Sequence, residues 1–278
     1  MSSSPSTSPP TTTPPPAAPP AQDPAAFDDA PWRRTAVSVI RALPEFPGVD
    51  VLELGCGDGL VLEALRHSGA NARGTTFRSR DDDYIRKRDH PEDLPIDHGV
   101  DLNVPIPYDD ASFDVVVSTE VIEHLDNHRN FVTEALRVLR PGGVFVLTSV
   151  NLHRLPSRLA FFLTGTHLMK HRLITESVAL SRMEEFHHRC VDFPLLHWLI
   201  WQNGGRIEAM TETHVQTASK VLGVFAPLLG PLVRKSVWRH RRDAPDDEAY
   251  RRDLYRCLTD RSLARSEQFC LTIRKARA

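Results

Sequence analysis

The sequence lacks a long apolar run, a cysteine motif and a strong charge bias. It has no uninterrupted stretch of about 18 or more apolar residues, so we predict no membrane-spanning helix. With a formal net charge of −2, the overall balance gives no indication of a nucleic-acid partner. The four cysteines show neither C-x-x-C nor zinc-ligand spacing, which favours free thiols in a reducing compartment and predicts no metal site. They are Cys56, Cys190, Cys257 and Cys270.

The first 30 residues are nearly all Ser, Thr, Pro and Ala. Such a segment cannot bury enough apolar surface to offset the entropy of ordering it, so we predict a disordered tail. It has no basic start followed by an apolar core, so we expect no secretory signal and a cytoplasmic protein. Residues 31–278 are expected to form a single domain.

Strand and helix patterns alternate along this domain. "VDVLEL" (49–54), "ARGTTF" (72–77), 113–119 and 144–150 have the composition of strands, and helical patterns separate them. Residues 79–99 are predicted to be loop with some helix, 120–139 a helix and 140–143 a turn. The alternation predicts an α/β fold with a doubly wound, mostly parallel sheet, whose ligand lies beyond the carboxyl ends of the strands.

The segment "VLELGCGDG" (51–59) places three glycines at every second position after the first predicted strand. A dinucleotide-binding loop would carry its third glycine at position 60, which is Leu60, and Glu53 would repel a pyrophosphate. The carboxylate of Glu53 would attract a positively charged group such as an ammonium, and the N-terminus of the following helix would attract a carboxylate. The loop therefore suits a ligand that carries both groups. S-adenosylmethionine is such a ligand and also carries a nucleoside.

Three motifs, in order and at the usual spacing, resemble the class I S-adenosylmethionine-dependent methyltransferases. They are "VLELGCGDG", "PYDDASFDVVVSTEVIEHL" and "ALRVLRPGGVFVLTSVN", within residues 45–151. "FHHRCVDFPLLHWLIWQNGGRIEAM" and "EQFCLTIRK" resemble, less specifically, the family's late helix, sixth strand and antiparallel closing strand. The resemblance implies a seven-stranded Rossmann-like methyltransferase fold, methyltransferase activity and S-adenosylmethionine as cofactor. It divides the domain into a cofactor-binding core (45–151), an acceptor-side cap (152–190) and a C-terminal part (191–278).

The resemblance also implies roles for the glycine loop. Gly55 and Gly57 would form the floor under the methionyl part of the cofactor, and Glu53 would orient its ammonium. The resemblance also implies that three further residues contact the cofactor: Cys56 and Gly59 in the loop, and Thr119 at the end of the strand 113–119. The alternatives are a tight turn for the glycines and a solvated carboxylate for Glu53.

Asp101 and Leu102 lie where the family places an acid and an apolar residue on the two sides of the adenine. The alternative for Asp101 is a loop acid that caps a turn. The family's usual acid at the end of the second strand is missing, since the expected site falls near Thr76 to Arg78. Three explanations are open. Thr76 binds the ribose in place of the acid, one of Asp81, Asp82 and Asp83 folds back to bind it, or cofactor binding is impaired. A non-catalytic S-adenosylmethionine-binding protein is therefore the alternative function.

Glu120, His124 and His128 are spaced four residues apart, which predicts that one helix face carries all three. His124, with Glu120 beside it, is the candidate catalytic base if the acceptor is a hydroxyl, and the alternative is a packed or capping histidine. His187 and His188 are further candidates, for which a structural role is the first interpretation.

Residues 151–188 form an insertion too long for a plain connection, and we interpret it as the acceptor-side cap. Its basic residues are expected either to contact an anionic acceptor or to be solvated; they are Arg154, Arg158, Lys170 and Arg172. The predicted acceptor is a small molecule, a glycan or a lipid-linked compound, methylated on oxygen or nitrogen. No N-P-P-[YFW] stretch follows the strand 113–119, which argues against a nucleic-acid acceptor.

A run of thirteen apolar residues, 221–233, precedes a basic cluster that reaches residue 242. Its glycines and prolines argue against a membrane span. The first interpretation is a buried core segment, and the second is peripheral contact with a membrane through 221–242. The sequence does not predict an oligomeric state.

Overall fold

The structure is a computed structural model that describes residues 30–43, 46–79, 94–168, 189, 191–239 and 247–277. Several sequence predictions lie outside these residues. They are the tail 1–29, the three aspartates 81–83, the cap residues 169–188 with Lys170, Arg172, His187 and His188, and the basic residues 240–242.

The described residues form a seven-stranded mixed sheet in the order β3-β2-β1-β4-β5-β7-β6. The first five strands of this order are parallel, whereas β7 runs antiparallel to both of its neighbours. The predicted doubly wound, mostly parallel sheet and its antiparallel closing strand are thus confirmed. The strands are β1 (Asp50–Glu53), β2 (Asn71–Thr76), β3 (Ile96–His98), β4 (Phe113–Thr119), β5 (Leu139–Val150), β6 (Gly205–Glu212) and β7 (Gln268–Lys275).

Helices cover both faces of this sheet. They are α1 (Pro31–Arg41), α2 (Leu60–His67), α3 (His128–Arg137), α4 (Leu155–Thr164), α5 (Phe193–Gln202), α6 (Thr217–Leu222), α7 (Gly230–Val237), α8 (Glu248–Leu258) and α9 (Arg261–Arg265). Short 3₁₀ helices span Ile122–His124 and Gly223–Leu229. No helix of the described chain is long and apolar enough to cross a bilayer.

The central strand β4 shows why its sequence is a continuous apolar run. Val115 and Val117 pack in one buried cluster with Val61 of α2, while Val116 packs in the other with Phe131 of α3. Successive side chains of a strand point to opposite faces, so a strand covered on both faces needs apolar residues at every position. Burial of each such side chain stabilises the fold by about 1.5–3 kcal/mol.

Two local predictions about the sheet were wrong. Residues 96–98, predicted as loop, form the edge strand β3, paired in parallel with Gly74 to Thr76. A three-residue, half-buried edge strand carries no alternation, so only the pairing reveals it. The segment "RPGG", predicted as a turn, lies inside β5, and the pairing with β4 shifts register between Phe113 and Val115 to accommodate it.

The segment after β4 is not the single helix that the spacing predicted. Glu120 has a φ of +55°, residues 122–124 form one 3₁₀ turn, and α3 begins only at His128. Asn127 caps that helix, because its Oδ1 accepts a hydrogen bond from the Asn130 amide at 3.0 Å. Glu120, His124 and His128 therefore do not share a helix face.

The interpretation of 221–233 as a buried core segment is also wrong. This stretch runs through α6, the 3₁₀ helix and α7, and the last two of these contain no buried residue. Among the exposed side chains are Val221, Val224, Phe225, Leu228 and Leu232.

Candidate cofactor site and acceptor side

The glycine loop joins the carboxyl end of β1 to the N-terminus of α2. Gly55, Gly57 and Gly59 have φ angles of +75°, +53° and +73°, a region that residues with a side chain rarely adopt. A Cβ on Gly55 would lie 2.6 Å from Cγ2 of Val121, so the loop also packs closely on the segment after β4. The first amides of α2 face this loop, as a helix N-terminus that receives a carboxylate must.

Strand β2 holds the loop in place. The Gly55 amide donates to Oγ1 of Thr75 at 3.1 Å, and the Cys56 amide donates to the Thr75 carbonyl at 2.7 Å. Cys56 is buried against Gly74, where a Cβ would lie 2.9 Å from its Sγ. Burial raises the pKa of this thiol well above its usual range, so Cys56 is a neutral packing residue. Sequence reasoning missed Thr75 and Gly74, whose only signal was their place in the predicted second strand.

Glu53 is the last residue of β1, and its side chain is 1% exposed. Its Oε2 has no hydrogen-bond partner among the described residues. Burial raises the pKa of the carboxyl to about 8, although the nearby Arg33 lowers it. Arg33 itself lies 3.4 Å from Asp58 of the loop. A buried carboxyl with an unpaired oxygen fits a ligand that brings a cationic donor, such as the ammonium of S-adenosylmethionine.

The residues predicted to flank the adenine and ribose lie beside the end of β2. The Val100 amide donates to the Thr76 carbonyl at 3.0 Å, which brings Asp101 and the buried Leu102 to this edge of the sheet. Oδ1 of Asp101 accepts hydrogen bonds from the amide and side chain of Asn103, at 2.8 and 3.0 Å, so this acid caps a turn. Thr76 is buried and carries no charge to replace the family's usual acid.

A pair of shielded carboxyls, Glu120 and Glu123, follows the carboxyl end of β4. Each of the two lies close enough for its charge to act on the other, and each has one shielded oxygen without a hydrogen-bond partner among the described residues. Ser149 of β5 donates to Oε2 of Glu123 at 2.8 Å. Burial raises both pKa values, that of Glu123 to about 7, and the negative charge of Glu123 raises the pKa of Glu120 further. Glu123 therefore titrates in the neutral pH range, and Glu120 holds its proton more tightly than an exposed carboxyl does.

The structure places the two histidines differently. His124 is half-buried in the 3₁₀ turn that also carries Glu123, and its amide donates to the Val121 carbonyl at 2.9 Å. His128 lies at the first turn of α3, where burial lowers its pKa. His124 therefore lies just after β4, next to the carboxyl pair, whereas His128 is the first residue of α3.

At the start of the predicted cap, Arg154 is buried rather than solvated. Its guanidinium donates to Oε1 of Gln216 at 2.9 Å and to the Leu168 carbonyl at 3.1 Å. Arg158 is half-buried, and desolvation lowers its pKa. A solvated basic face therefore does not describe these two arginines. Gln216, which sequence reasoning missed, carries no pattern that would have singled it out.

Comparisons with known proteins agree with this geometry. A family model described as a methyltransferase domain matches residues 52–147. The chain is 30% identical over 250 residues to a probable S-adenosylmethionine-dependent methyltransferase of Mycolicibacterium smegmatis, covering 87% of this chain and 81% of the relative. It is 34% identical over 108 residues to a ubiquinone biosynthesis O-methyltransferase of Maricaulis maris, a match that covers 38% of this chain and 42% of that one.

Solved structures show the same fold. An S-adenosylmethionine-dependent methyltransferase from Mesorhizobium loti, 17% identical, has a TM-score of 0.50 over 90% of this chain and 100% of its own. One from Archaeoglobus fulgidus, also 17% identical, has a TM-score of 0.50 over 87% of this chain and 93% of its own.

The sheet order and the glycine loop define a Rossmann-like methyltransferase fold. The chain belongs to the S-adenosylmethionine-dependent methyltransferases, enzymes whose cofactor is S-adenosylmethionine.

Proposed function

We propose that this methyltransferase acts on a hydroxyl of a small-molecule, glycan or lipid-linked acceptor. The carboxyl pair of Glu120 and Glu123 carries the proposal, because transfer to a hydroxyl needs a base and transfer to an unprotonated amine does not. The partial similarity to ubiquinone biosynthesis O-methyltransferases supports an oxygen acceptor. Nitrogen methylation of the same classes of acceptor is the second candidate.

The residues that would hold the cofactor surround the carboxyl ends of β1, β2 and β4. Glu53 would pair with the ammonium, and the backbone of Gly55, Gly57 and Gly59 would lie against the methionyl chain. Asp101 and Leu102 would flank the adenine, Thr76 would face the ribose, and Cys56 would support the loop from below. Thr119, the last residue of β4, would border the sulfonium.

When bound, the cofactor supplies the electrophilic methyl group. The chain would then align the acceptor oxygen, exclude water and remove a proton. A base works best when its pKa is near the working pH, and the pKa of Glu123, at about 7, meets this condition. Because the two carboxyls titrate together, the pair would take the proton as a unit, with Glu120, directly after β4, as its member on the cofactor side, and His124 would exchange the proton with solvent.

A methyl-transfer screen tests this function. The purified chain would be incubated with isotope-labelled S-adenosylmethionine and a host extract, and labelled products would be identified by mass spectrometry. We expect label on an oxygen. Glu120→Gln should lower kcat at least tenfold, since general bases contribute about 10²–10⁴-fold, and should leave cofactor affinity near wild type.

Asp109→Asn is a matched control, because it makes the same acid-to-amide change on an exposed residue away from the site. Label on nitrogen would contradict the hydroxyl acceptor. An unchanged kcat in Glu120→Gln would remove the carboxyl pair from the mechanism.

A further inference from the structure

The structure leaves an unusually apolar surface exposed on two neighbouring segments. We call it the apolar face, and it consists of Leu159, Phe162 and Leu163 of α4 and Val221, Val224, Phe225, Leu228 and Leu232 of the segment 217–237. The exposed fraction is 84% for Phe162, 73% for Val224 and 71% for Leu228. Contiguous apolar surface of this kind marks an interaction site in proteins that fold in water.

The two segments lie side by side. Helix α4 packs against α6, and the hydrogen bond from Arg154 to Gln216 joins the residue before α4 to the residue before α6. The face lies next to the acceptor side, because α4 starts five residues after the end of β5 at Val150. A partner bound there would contact the molecule beside the mouth of the proposed acceptor site.

The charged residues of the two segments that form the apolar face are all basic, and the acids Glu248 and Glu267 lie at the ends of the second segment, hydrogen-bonded to Trp238 and Gln216. Residues 152–168 and 214–239 contain no Asp or Glu. Lys220, Arg234, Lys235 and Arg239 are exposed along the second segment. An apolar surface whose own segments carry cations and no acids is complementary to an anionic lipid bilayer, which offers hydrocarbon beneath a layer of negative charge.

The same charge pattern disfavours a second copy of the chain as the occupant. In a two-fold dimer the same patch lies on both sides of the interface, so cations would face cations. We therefore propose that the apolar face docks the enzyme on an anionic membrane surface, with the acceptor side turned towards the lipid. This inference is independent of which atom of the acceptor is methylated.

Vesicle flotation of the full chain tests the proposal. We expect binding to phosphatidylcholine vesicles that contain phosphatidylglycerol, little binding to phosphatidylcholine alone, and release at high salt because screening weakens surface charge interactions. Each basic residue removed should lower the partition coefficient roughly fivefold. The variant Arg234→Glu/Lys235→Glu should therefore bind at least about tenfold more weakly.

A second variant separates apolar contact from charge. Phe162→Ser/Val224→Ser/Leu228→Ser removes exposed side chains whose loss leaves the buried core intact, and it should also bind at least about tenfold more weakly. The matched controls are Leu195→Ser, an exposed apolar residue of α5, and Arg129→Glu, an exposed cation of α3. Both controls should bind like wild type.

Three outcomes would overturn the proposal: wild-type protein that does not float with anionic vesicles at low salt, variants that bind like wild type, or controls that lose binding equally. A lipid-free dimer in sedimentation velocity that the triple serine variant abolishes, together with no vesicle binding, would make the face a self-interface. Titration with S-adenosylmethionine should be unchanged in every variant, so failure of docking is distinguishable from failure of the methyltransferase site.

Discussion

Cofactor binding should depend on pH through the buried carboxyl of Glu53. The pKa of this carboxyl is raised to about 8 by burial, so most free molecules carry it protonated at neutral pH. The ammonium of the cofactor requires the charged form. The charged fraction is about one in a hundred at pH 6 and about one in ten at pH 7, so affinity should rise roughly tenfold over that interval. Binding at pH 7 should release nearly one proton from this residue.

Glu53→Gln removes this titration with almost no change in shape. The amide offers a neutral oxygen in place of a carboxylate, and hydrogen bonds to charged groups contribute about 1.5–3 kcal/mol. Affinity at pH 8 should therefore fall roughly tenfold or more. Titration of the ligand changes the affinity of wild type and variant equally. The difference between their slopes of affinity against pH should therefore come from Glu53 alone.

The same substitution should stabilise the free protein at pH 8. The folded pKa of Glu53 lies above its unfolded value near 4.5, so the native state binds more protons and stability falls as pH rises from about 4.5 to 8. Each pKa unit corresponds to about 1.4 kcal/mol, so the glutamine variant should gain on the order of a few kcal/mol at pH 8 and much less at pH 5.

Calorimetric titration between pH 6 and 8, in buffers of different ionisation enthalpy, measures both affinity and proton release. Thermal unfolding of the free protein over the same range measures the stability effect. Asp109→Asn serves again as the control, because its carboxyl is exposed. Equal pH slopes for wild type and Glu53→Gln, with no difference in proton release, would refute the assignment of Glu53 to the ammonium.

Gly57→Arg should abolish cofactor binding by filling the loop. The control Gly204→Arg, at a similarly positive φ in open space, should bind the cofactor like wild type. Equal cofactor affinities of the two variants in a titration would contradict the loop assignment. Asp101→Asn keeps the oxygen that caps the turn and should still weaken binding by about 1–3 kcal/mol; unchanged affinity would leave this acid a turn residue only. Thr76→Asp should tighten binding if the missing acid is a real loss, and weaker binding would mean that another group holds the ribose. His124→Ala should slow turnover at constant cofactor affinity, and equal loss of both would make this histidine structural.

The sequence by itself determined the framework of the cofactor site. The apolar run of β4, the glycines after β1 and the alternation in β7 are local signals, because each reflects the conformation or burial of neighbouring residues in the chain. They were enough to predict the sheet, the antiparallel closing strand and the family. The glycines also limited the ligand, since their spacing and Glu53 together disfavour a dinucleotide.

Only the tertiary structure decided how far each side chain is shielded from water. Glu53, Glu120 and Glu123 look like ordinary charged residues in the sequence, and it is packing between strands and helices that raises their pKa values. The edge strand β3 exists through its pairing with β2. The segment 221–233 has a core-like composition and yet lies outside, because the described helices and strands already complete both cores without it. Burial depends on contacts between residues distant in the chain, and a local pattern does not encode them.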